Sequence, residues 1–296
     1  MLNERDLKGI YVPVVTPFLP NAELDTDSYR TYLGKLLEED IQGVVINGTT
    51  GEAPTVSWEE VADLFHATRA CMSGRQSHIP VVIGTGTNDT RSTVRRTEMA
   101  GQLGADAVLV VTPYYSRPSQ EGILEHFRQV AQVGVPIIAY EVPFRTGVRL
   151  SADTIRRIME LNGVIGLKDS SGGLALITEL TRLGTKPILC GEDLYFHAML
   201  TQGASGGILA SANVNTSAFI HVFRLASQGD FIAAQKAFDL LVPFIERLFQ
   251  ESNPAPLKWL LARQGILASG TLRLPMVPIT KGLQLEFEQT MRNPAE

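Results

Sequence analysis

The chain has 296 residues, of which 44% are hydrophobic and 19% are charged, and its formal net charge is −5. This composition is typical of a globular protein with a large core, and a negative chain without a basic stripe argues against a nucleic-acid partner. The sequence contains no run of 18 apolar residues, so it predicts no membrane span.

The cysteines and the N-terminal sequence bear on location and on metal binding. Only Cys71 and Cys190 occur, and the first 25 residues lack the charged, apolar and small-residue order of a signal peptide. We therefore expect a cytoplasmic protein. The five histidines, at positions 66, 78, 126, 197 and 221, form no pair at ligand spacing, and we expect neither a metal nor a cofactor.

Short runs rich in valine and isoleucine alternate with longer amphipathic stretches over the first 230 residues. This alternation predicts parallel strands joined by helices, and eight repeats favour a closed (β/α)8 barrel, the TIM barrel, over an open sheet. A capping box, Ser57 with Glu60, predicts the start of the helix after the second strand. The predicted strands are Ile10–Thr16, Gly43–Ile46, Pro80–Gly84, Ala107–Val111, Pro136–Tyr140, Val164–Lys168, Pro187–Cys190 and Gly206–Ser211.

The strand pattern ends at about Phe231. Helical patterns follow at 231–251 and 255–264, and a last helix is predicted from about residue 279. No linker rich in glycine, serine or charge separates this part from the rest. We therefore expect a barrel of residues 1–230 and a C-terminal helical extension of residues 231–296, packed on the barrel or on a neighbouring subunit.

Lys168 is the first candidate for chemistry, because active sites of α/β barrels form at the carboxyl ends of the strands. It closes the apolar strand Val164–Lys168 and should point into the mouth of the barrel. Loss of water there would favour the neutral amine, which can form a Schiff base with a carbonyl group. The lysine alone leaves an alternative open, a structural ion pair with Asp169 or Glu192 at the rim.

Other polar residues follow neighbouring strands. Tyr140 could transfer protons beside Lys168. The loop Gly48–Gly51 offers two hydroxyl groups and backbone amides, at the start of a helix, to a carboxylate. Arg145 could hold a second carboxylate. Taken singly, these residues also fit a rim tyrosine, a glycine-rich turn and a solvated arginine.

Five segments occur together and in order, namely Gly48–Glu52, Val111–Tyr115, Tyr140–Pro143, Arg145–Gly147 and Gly166–Lys168. With them the chain resembles the dihydrodipicolinate synthase / N-acetylneuraminate lyase family, the Schiff-base class I aldolases. The similarity extends from about Gly9 to the C-terminus and includes Asn253–Trp259 and Leu272–Pro275.

The resemblance implies a role for each matching residue. Lys168 corresponds to the Schiff-base lysine and Tyr140 to the tyrosine that transfers protons. Thr49 and Thr50 correspond to the residues that bind the pyruvate carboxylate, and Ile208 matches a residue whose backbone lines the pyruvate site. No metal or organic cofactor is implied, because the lysine supplies the electronic activation.

The resemblance also implies an oligomer. Thr50 would link Tyr140 to Tyr115, whose counterpart in the family crosses into the partner subunit and completes a proton relay. The smallest active unit would then be a homodimer, and the family is commonly a tetramer built as a dimer of dimers.

Arg145 favours the synthase branch, in which an arginine at this place grips the carboxylate of aspartate semialdehyde. The expected reaction is therefore the condensation of pyruvate with L-aspartate 4-semialdehyde, in lysine and diaminopimelate biosynthesis. A lyase or dehydratase for a 2-keto-3-deoxy acid remains the alternative, and a barrel that binds pyruvate-like acids without turnover is a second one. A metal-dependent aldolase is disfavoured by the lack of clustered ligands, and a phosphate-binding barrel by Glu192 and Asp193.

Three departures from the synthase pattern bear on this assignment. Glu141 replaces the usual asparagine after the tyrosine and would add negative charge near an anion site. Asp169–Gly172 has the sequence Asp-Ser-Ser-Gly where synthases more often have Glu-Ala-Thr-Gly. Trp58, Val61 and Ser92 occupy positions that often hold histidines and a glutamate in lysine-inhibited enzymes, which predicts weak or absent feedback by lysine.

Overall fold

A computed structural model describes residues 1–73 and 79–292 of the chain. His78, one of the five histidines, and residues 293–296 of the predicted extension lie outside the described residues. Among the helices that are described, none is both long and apolar enough to cross a lipid bilayer.

Eight parallel strands form a closed barrel in sequence order. Each strand pairs with the next, and β8 pairs with β1 to close the ring. The predicted (β/α)8 barrel is confirmed. The strands are β1 Gly9–Pro13, β2 Gly43–Ile46, β3 Val81–Gly84, β4 Ala107–Val111, β5 Ile137–Glu141, β6 Val164–Asp169, β7 Ile188–Cys190 and β8 Gly206–Ile208.

Helices surround the barrel and form the C-terminal extension. The capping box predicted at Ser57 is present, with the Ser57 hydroxyl and the Glu60 carboxylate each accepting from the other residue's backbone amide. The helices are α1 Thr26–Leu36, α2 Trp58–Met72, α3 Thr90–Leu103, α4 Gln120–Ala131, α5 Pro143–Thr146, α6 Ala152–Met159, α7 Ala175–Leu183, α8 Phe196–Thr201, α9 Thr216–Ser227, α10 Phe231–Asp239, α11 Val242–Leu248, α12 Ala255–Arg263 and α13 Lys281–Arg292.

The strands divide the apolar residues into two clusters, because successive side chains of a strand point to opposite faces. One cluster fills the inside of the barrel and includes Tyr11, Ile138 and Tyr140. The other lies between the barrel and the helices, and it also takes in Ile245 and Leu257 of the C-terminal extension. The extension therefore shares the outer core of the barrel, while the division at residue 230 stays a prediction.

Two predicted strands are too long at their carboxyl ends. β1 ends at Pro13, and Thr16 instead donates its hydroxyl hydrogen to the carbonyl oxygen of Gly51, at 2.7 Å. β8 ends at Ile208, because the Asp193 carboxylate accepts from the backbone amides of Ala210 and Ser211 and a 3-10 turn follows. A side chain distant in sequence thus determines where the strand stops.

Two helix predictions are also wrong in detail. The helix expected over 231–251 is two helices, α10 and α11, because Pro243 has no amide hydrogen with which to continue the first one. The loop Gly48–Gly51 does not start a helix, since the 3-10 turn Ala53–Thr55 follows it and α2 begins only at Trp58. Any anion bound by this loop is therefore held by hydroxyls and local amides.

Candidate active site

Lys168 and Tyr140 lie side by side at the mouth of the barrel. They are register partners of β6 and β5, so both side chains point to the inside. The Nζ atom of Lys168 lies 4.2 Å from the centre of the Tyr140 ring, and each residue is 6% exposed. A primary amine and a phenol are thus held together in a site that is largely shielded from water.

The structural ion pair considered for Lys168 is not present. No carboxylate among the described residues lies within 4.0 Å of its ammonium nitrogen, and Asp169 points to the other face of β6. Burial raises the pKa of Asp193, and the nearby Lys168 ammonium is one of the groups that oppose this rise. Among the described residues, Lys168 therefore has no carboxylate at ion-pair distance, and its amine is available to a ligand.

A cavity of about 150 Å³ surrounds the lysine, against about 30 Å³ for one water molecule. This space is sufficient for a small organic acid. Its lining includes six of the seven site residues predicted from the sequence, namely Lys168, Tyr140, Thr49, Thr50, Arg145 and Ile208.

A second, larger cavity of about 330 Å³ adjoins the first. Thr49, Tyr140, Arg145 and Asn253 line both of them, and Tyr114 lines only the larger. Arg145 is exposed and lies on the short helix α5, so its guanidinium group can reach ligands in either cavity. The cavity around the amine therefore adjoins a wider compartment, and the Arg145 side chain borders both.

Tyr115 is the one predicted site residue that the structure does not bring to the cavity. Its side chain is 89% exposed, and its backbone has a φ of +73°, a conformation that non-glycine residues rarely adopt. The expected relay from Tyr140 through Thr50 to Tyr115 is thus not formed within one chain. Within the described chain, Tyr115 therefore lies at the surface and away from Lys168.

The loop with Thr49 and Thr50 is anchored by the C-terminal extension, which sequence reasoning missed. The side-chain amide of Asn253 donates to the Thr50 hydroxyl at 3.0 Å. Lys258, fully buried, donates to the Glu52 carboxylate at 2.7 Å and to the carbonyl oxygen of Thr16 at 2.8 Å. In the sequence, the segment Asn253–Trp259 contributes only to the resemblance. A lysine among apolar residues of a helix, Lys258, was the signal that could have indicated a buried polar contact.

Comparison with known proteins identifies the family. The model of the dihydrodipicolinate synthetase family matches residues 6–293. The chain belongs to this family. Curated relatives include 4-hydroxy-tetrahydrodipicolinate synthase 2 of Clostridium acetobutylicum, 36% identical over 94% of this chain and 97% of the relative. The 4-hydroxy-tetrahydrodipicolinate synthase of Methanothrix thermoacetophila is 37% identical over 92% of each chain.

Solved structures of the family have the same fold. The dihydrodipicolinate synthase of Acinetobacter baumannii in complex with pyruvate superposes with a TM-score of 0.92, at 34% identity, covering 97% of this chain and 98% of that one. The 4-hydroxy-tetrahydrodipicolinate synthase of Methylacidiphilum fumariolicum gives a TM-score of 0.91 at 33% identity, over 97% of this chain and 95% of that one. The resemblance inferred from the five segments is confirmed.

Glu141 departs from the family pattern without adding charge to the cavity. It follows Tyr140 on β5 and therefore points to the outer face, where its carboxyl group accepts from the Leu150 amide at 2.9 Å and the Thr112 hydroxyl at 3.1 Å. It lines neither cavity. Burial raises its pKa to about 7. The expectation that Glu141 adds negative charge near the anion site is therefore wrong, because side chains alternate along β5 and this one points away from the cavity.

The second departure, Asp169–Gly172, has a different consequence. Asp169 points outward like Glu141, its register partner, and accepts from the Ser171 amide at 2.8 Å. Ser170 lines the lysine cavity together with Glu192 and Asp193. These three residues were not among the predicted site residues. A serine in place of the usual alanine puts an additional hydroxyl group beside the lysine.

Proposed function

We propose that this protein catalyses the 4-hydroxy-tetrahydrodipicolinate synthase reaction, the condensation of pyruvate with L-aspartate 4-semialdehyde. The observation that carries the proposal is the pairing of Lys168 with Tyr140 in a cavity also lined by Thr49, Thr50 and Arg145. An amine and a proton donor beside carboxylate-binding groups suit a lyase that captures a keto acid as a Schiff base. The names of the relatives support this choice of substrates.

The first stage is capture of pyruvate. The hydroxyls of Thr49 and Thr50 hold its carboxylate, and the amine nitrogen of Lys168 attacks the ketone carbon. Tyr140 returns a proton to the departing oxygen, so water leaves and an iminium ion forms. The ion withdraws electrons, which allows a methyl proton to leave and gives an enamine. Ile208 at the end of β8 forms part of the wall against which the acid lies.

The second stage forms the carbon–carbon bond. The enamine carbon attacks the aldehyde carbon of the second substrate, and the aldehyde oxygen takes up a proton. Arg145, which borders both cavities, holds the carboxylate of this substrate. The amine of the substrate then replaces Lys168 at the imine carbon, which releases a cyclic product and restores the free lysine.

The proton supply requires a second subunit. The exposed ring of Tyr115 would reach the relay of a neighbouring chain, where it would meet Thr50 and Tyr140. The active unit is then at least a homodimer, and a tetramer of two such dimers is expected. Cytoplasmic location likewise stays a prediction.

Borohydride reduction in the presence of pyruvate tests the chemistry. Peptide mass mapping should find the reduced adduct on Lys168, and Lys168→Arg should remove both the adduct and turnover. Lys35→Arg is a matched control at an exposed lysine that lines neither cavity, and it should keep the adduct on Lys168. An unmodified Lys168, or full activity of Lys168→Arg, would refute the proposal. A panel of aldehydes then separates the synthase from enzymes acting on 2-keto-3-deoxy acids, because the synthase should prefer aspartate semialdehyde over sugar-derived aldehydes.

A further inference from the structure

The wall of the lysine cavity contains polar atoms that the described part of the chain does not satisfy. Oγ of Ser170, Oε2 of Glu192 and Oδ1 of Asn253 are buried and have no hydrogen-bond partner, and all three residues line this cavity. Buried polar atoms are normally paired, and leaving one unpaired is costly. Three such oxygen atoms in one cavity can each accept a hydrogen bond from a ligand that carries donors.

Ser170 is held firmly beside the reactive amine. The residue is 3% exposed, and its backbone amide donates to the Glu141 carbonyl oxygen at 2.9 Å. A Cβ atom placed on Gly191 would lie 2.3 Å from Oγ of Ser170 and 2.6 Å from Cε of Lys168. The Ser170 hydroxyl group and the side chain of Lys168 therefore both pack against the backbone of Gly191. A ligand group bound by Ser170 would then lie close to the amine of Lys168.

Glu192 adds an acceptor with negative charge. Burial raises the pKa of its carboxyl group, and the neighbouring carboxylates of Asp169 and Asp193 raise it further. Both oxygens of Asp193 are already occupied by the amides of Ala210 and Ser211, whereas Oε2 of Glu192 is not occupied. A cation beside Glu192 would compensate this excess of negative charge.

Pyruvate cannot be the ligand of these atoms. It has a carboxylate, a ketone and a methyl group, so it accepts hydrogen bonds and donates none. Its carboxylate requires donors such as the hydroxyls of Thr49 and Thr50. The second substrate of the proposed reaction has an ammonium group, which donates three hydrogen bonds and carries the required charge.

We infer that Ser170 and Glu192 form a subsite for the ammonium group of the amino-aldehyde substrate. This inference rests on the proposed function and adds to it the residues that recognise the amine. Arg145 selects for the carboxylate of that substrate, and Ser170 with Glu192 selects for its amine. A substrate without the amine loses the contacts of the subsite and keeps the contact with Arg145.

The test compares two aldehydes that differ only in the amine. Aspartate semialdehyde is the substrate, and succinate semialdehyde, which lacks the amine, is used as a competitor. Ser170→Ala and Glu192→Gln should each raise KM for aspartate semialdehyde about 10- to 100-fold, the loss expected for one hydrogen bond to a charged group. The inhibition constant of succinate semialdehyde and KM for pyruvate should stay within about twofold of the wild type.

Ser211→Ala is the matched control, because Ser211 is equally buried but does not line the cavity. It should leave all three constants unchanged. Reductive trapping of pyruvate by each variant confirms that Lys168 still reacts, so a misfolded variant is recognised.

The outcomes separate the subsite from the proposed function. If the wild type does not consume aspartate semialdehyde, the proposed function fails. If it does, but the variants weaken the binding of both aldehydes equally or of neither, the subsite is refuted and the proposed function stands. A third outcome is that the wild type prefers a hydroxylated aldehyde such as glyceraldehyde and that the variants raise KM for this aldehyde. The subsite then binds a hydroxyl group, and the assignment to an ammonium group is overturned.

Discussion

Replacing Glu141 by glutamine should make the protein less sensitive to rising pH. Glu141 is 1% exposed, and burial raises the pKa of its carboxyl group from 4.5 to about 7. Glutamine keeps an oxygen for the Leu150 amide, and its own amide can donate to the Thr112 hydroxyl, which remains able to donate to the Tyr140 carbonyl oxygen. The substitution therefore removes the titration with little change in packing.

The sign follows from proton binding in the two states. Below pH 4.5 the carboxyl group is protonated in both the folded and the unfolded protein, so its contribution to stability is complete. Between pH 4.5 and pH 7 the unfolded protein loses this proton while the folded protein keeps it, and the free energy of unfolding falls. A rise of this pKa from 4.5 to about 7 corresponds to about 3 kcal/mol over this window, at 1.36 kcal/mol for each pKa unit.

Urea denaturation at fixed protein concentration measures this effect between pH 4 and pH 8.5, since oligomers show concentration-dependent stability. The free energy of unfolding of Glu141→Gln minus that of the wild type should increase by about 3 kcal/mol from the lowest to the highest pH. Glu38→Gln, the same change at an exposed position, should give a flat difference. A flat difference for Glu141→Gln as well would show that this carboxyl group binds its proton equally in the folded and the unfolded protein, and the argument from burial would fail.

Three further predictions concern the site and its support. Gly191→Ala should lower kcat/KM about 100-fold, because the new Cβ displaces Cε of Lys168, 2.6 Å away; steady-state kinetics that match the wild type would contradict the placement of the lysine. Lys258→Met should destabilise the fold by about 3–5 kcal/mol, because the buried Glu52 carboxylate loses its ammonium partner, and the double variant Lys258→Met, Glu52→Gln should recover part of this loss in thermal unfolding. Lysine should inhibit weakly or not at all, and strong inhibition at sub-millimolar lysine in the coupled assay would disprove this prediction.

The strands and the reactive lysine could be predicted from local sequence. Apolar runs such as Gly43–Ile46 and Ala107–Val111 match the observed strands residue for residue, because a buried parallel strand needs apolar side chains on both faces. Lys168 was recognisable as the charged end of such a run. The ends of β1 and β8 were misplaced, because the contacts that stop them come from Gly51 and Asp193, which are distant in sequence.

The direction of each polar side chain became clear only with the strand register. The sequence alone suggested that Glu141 would disturb an anion site, whereas alternation along β5 turns it to the outer face. The register also pairs Tyr140 with Lys168, a relation that no local pattern contains.

The sequence by itself determined the barrel and the family and singled out Lys168 as the candidate amine, because each depends on residue type and order along the chain. Only the tertiary structure decided that Asn253 and Lys258 anchor the loop that carries Thr49 and Thr50, and that Ser170 and Glu192 line the lysine cavity. These relations join residues up to 206 positions apart. Closure of the barrel and packing of the C-terminal helices create these contacts, because they bring together residues that are far apart in the sequence.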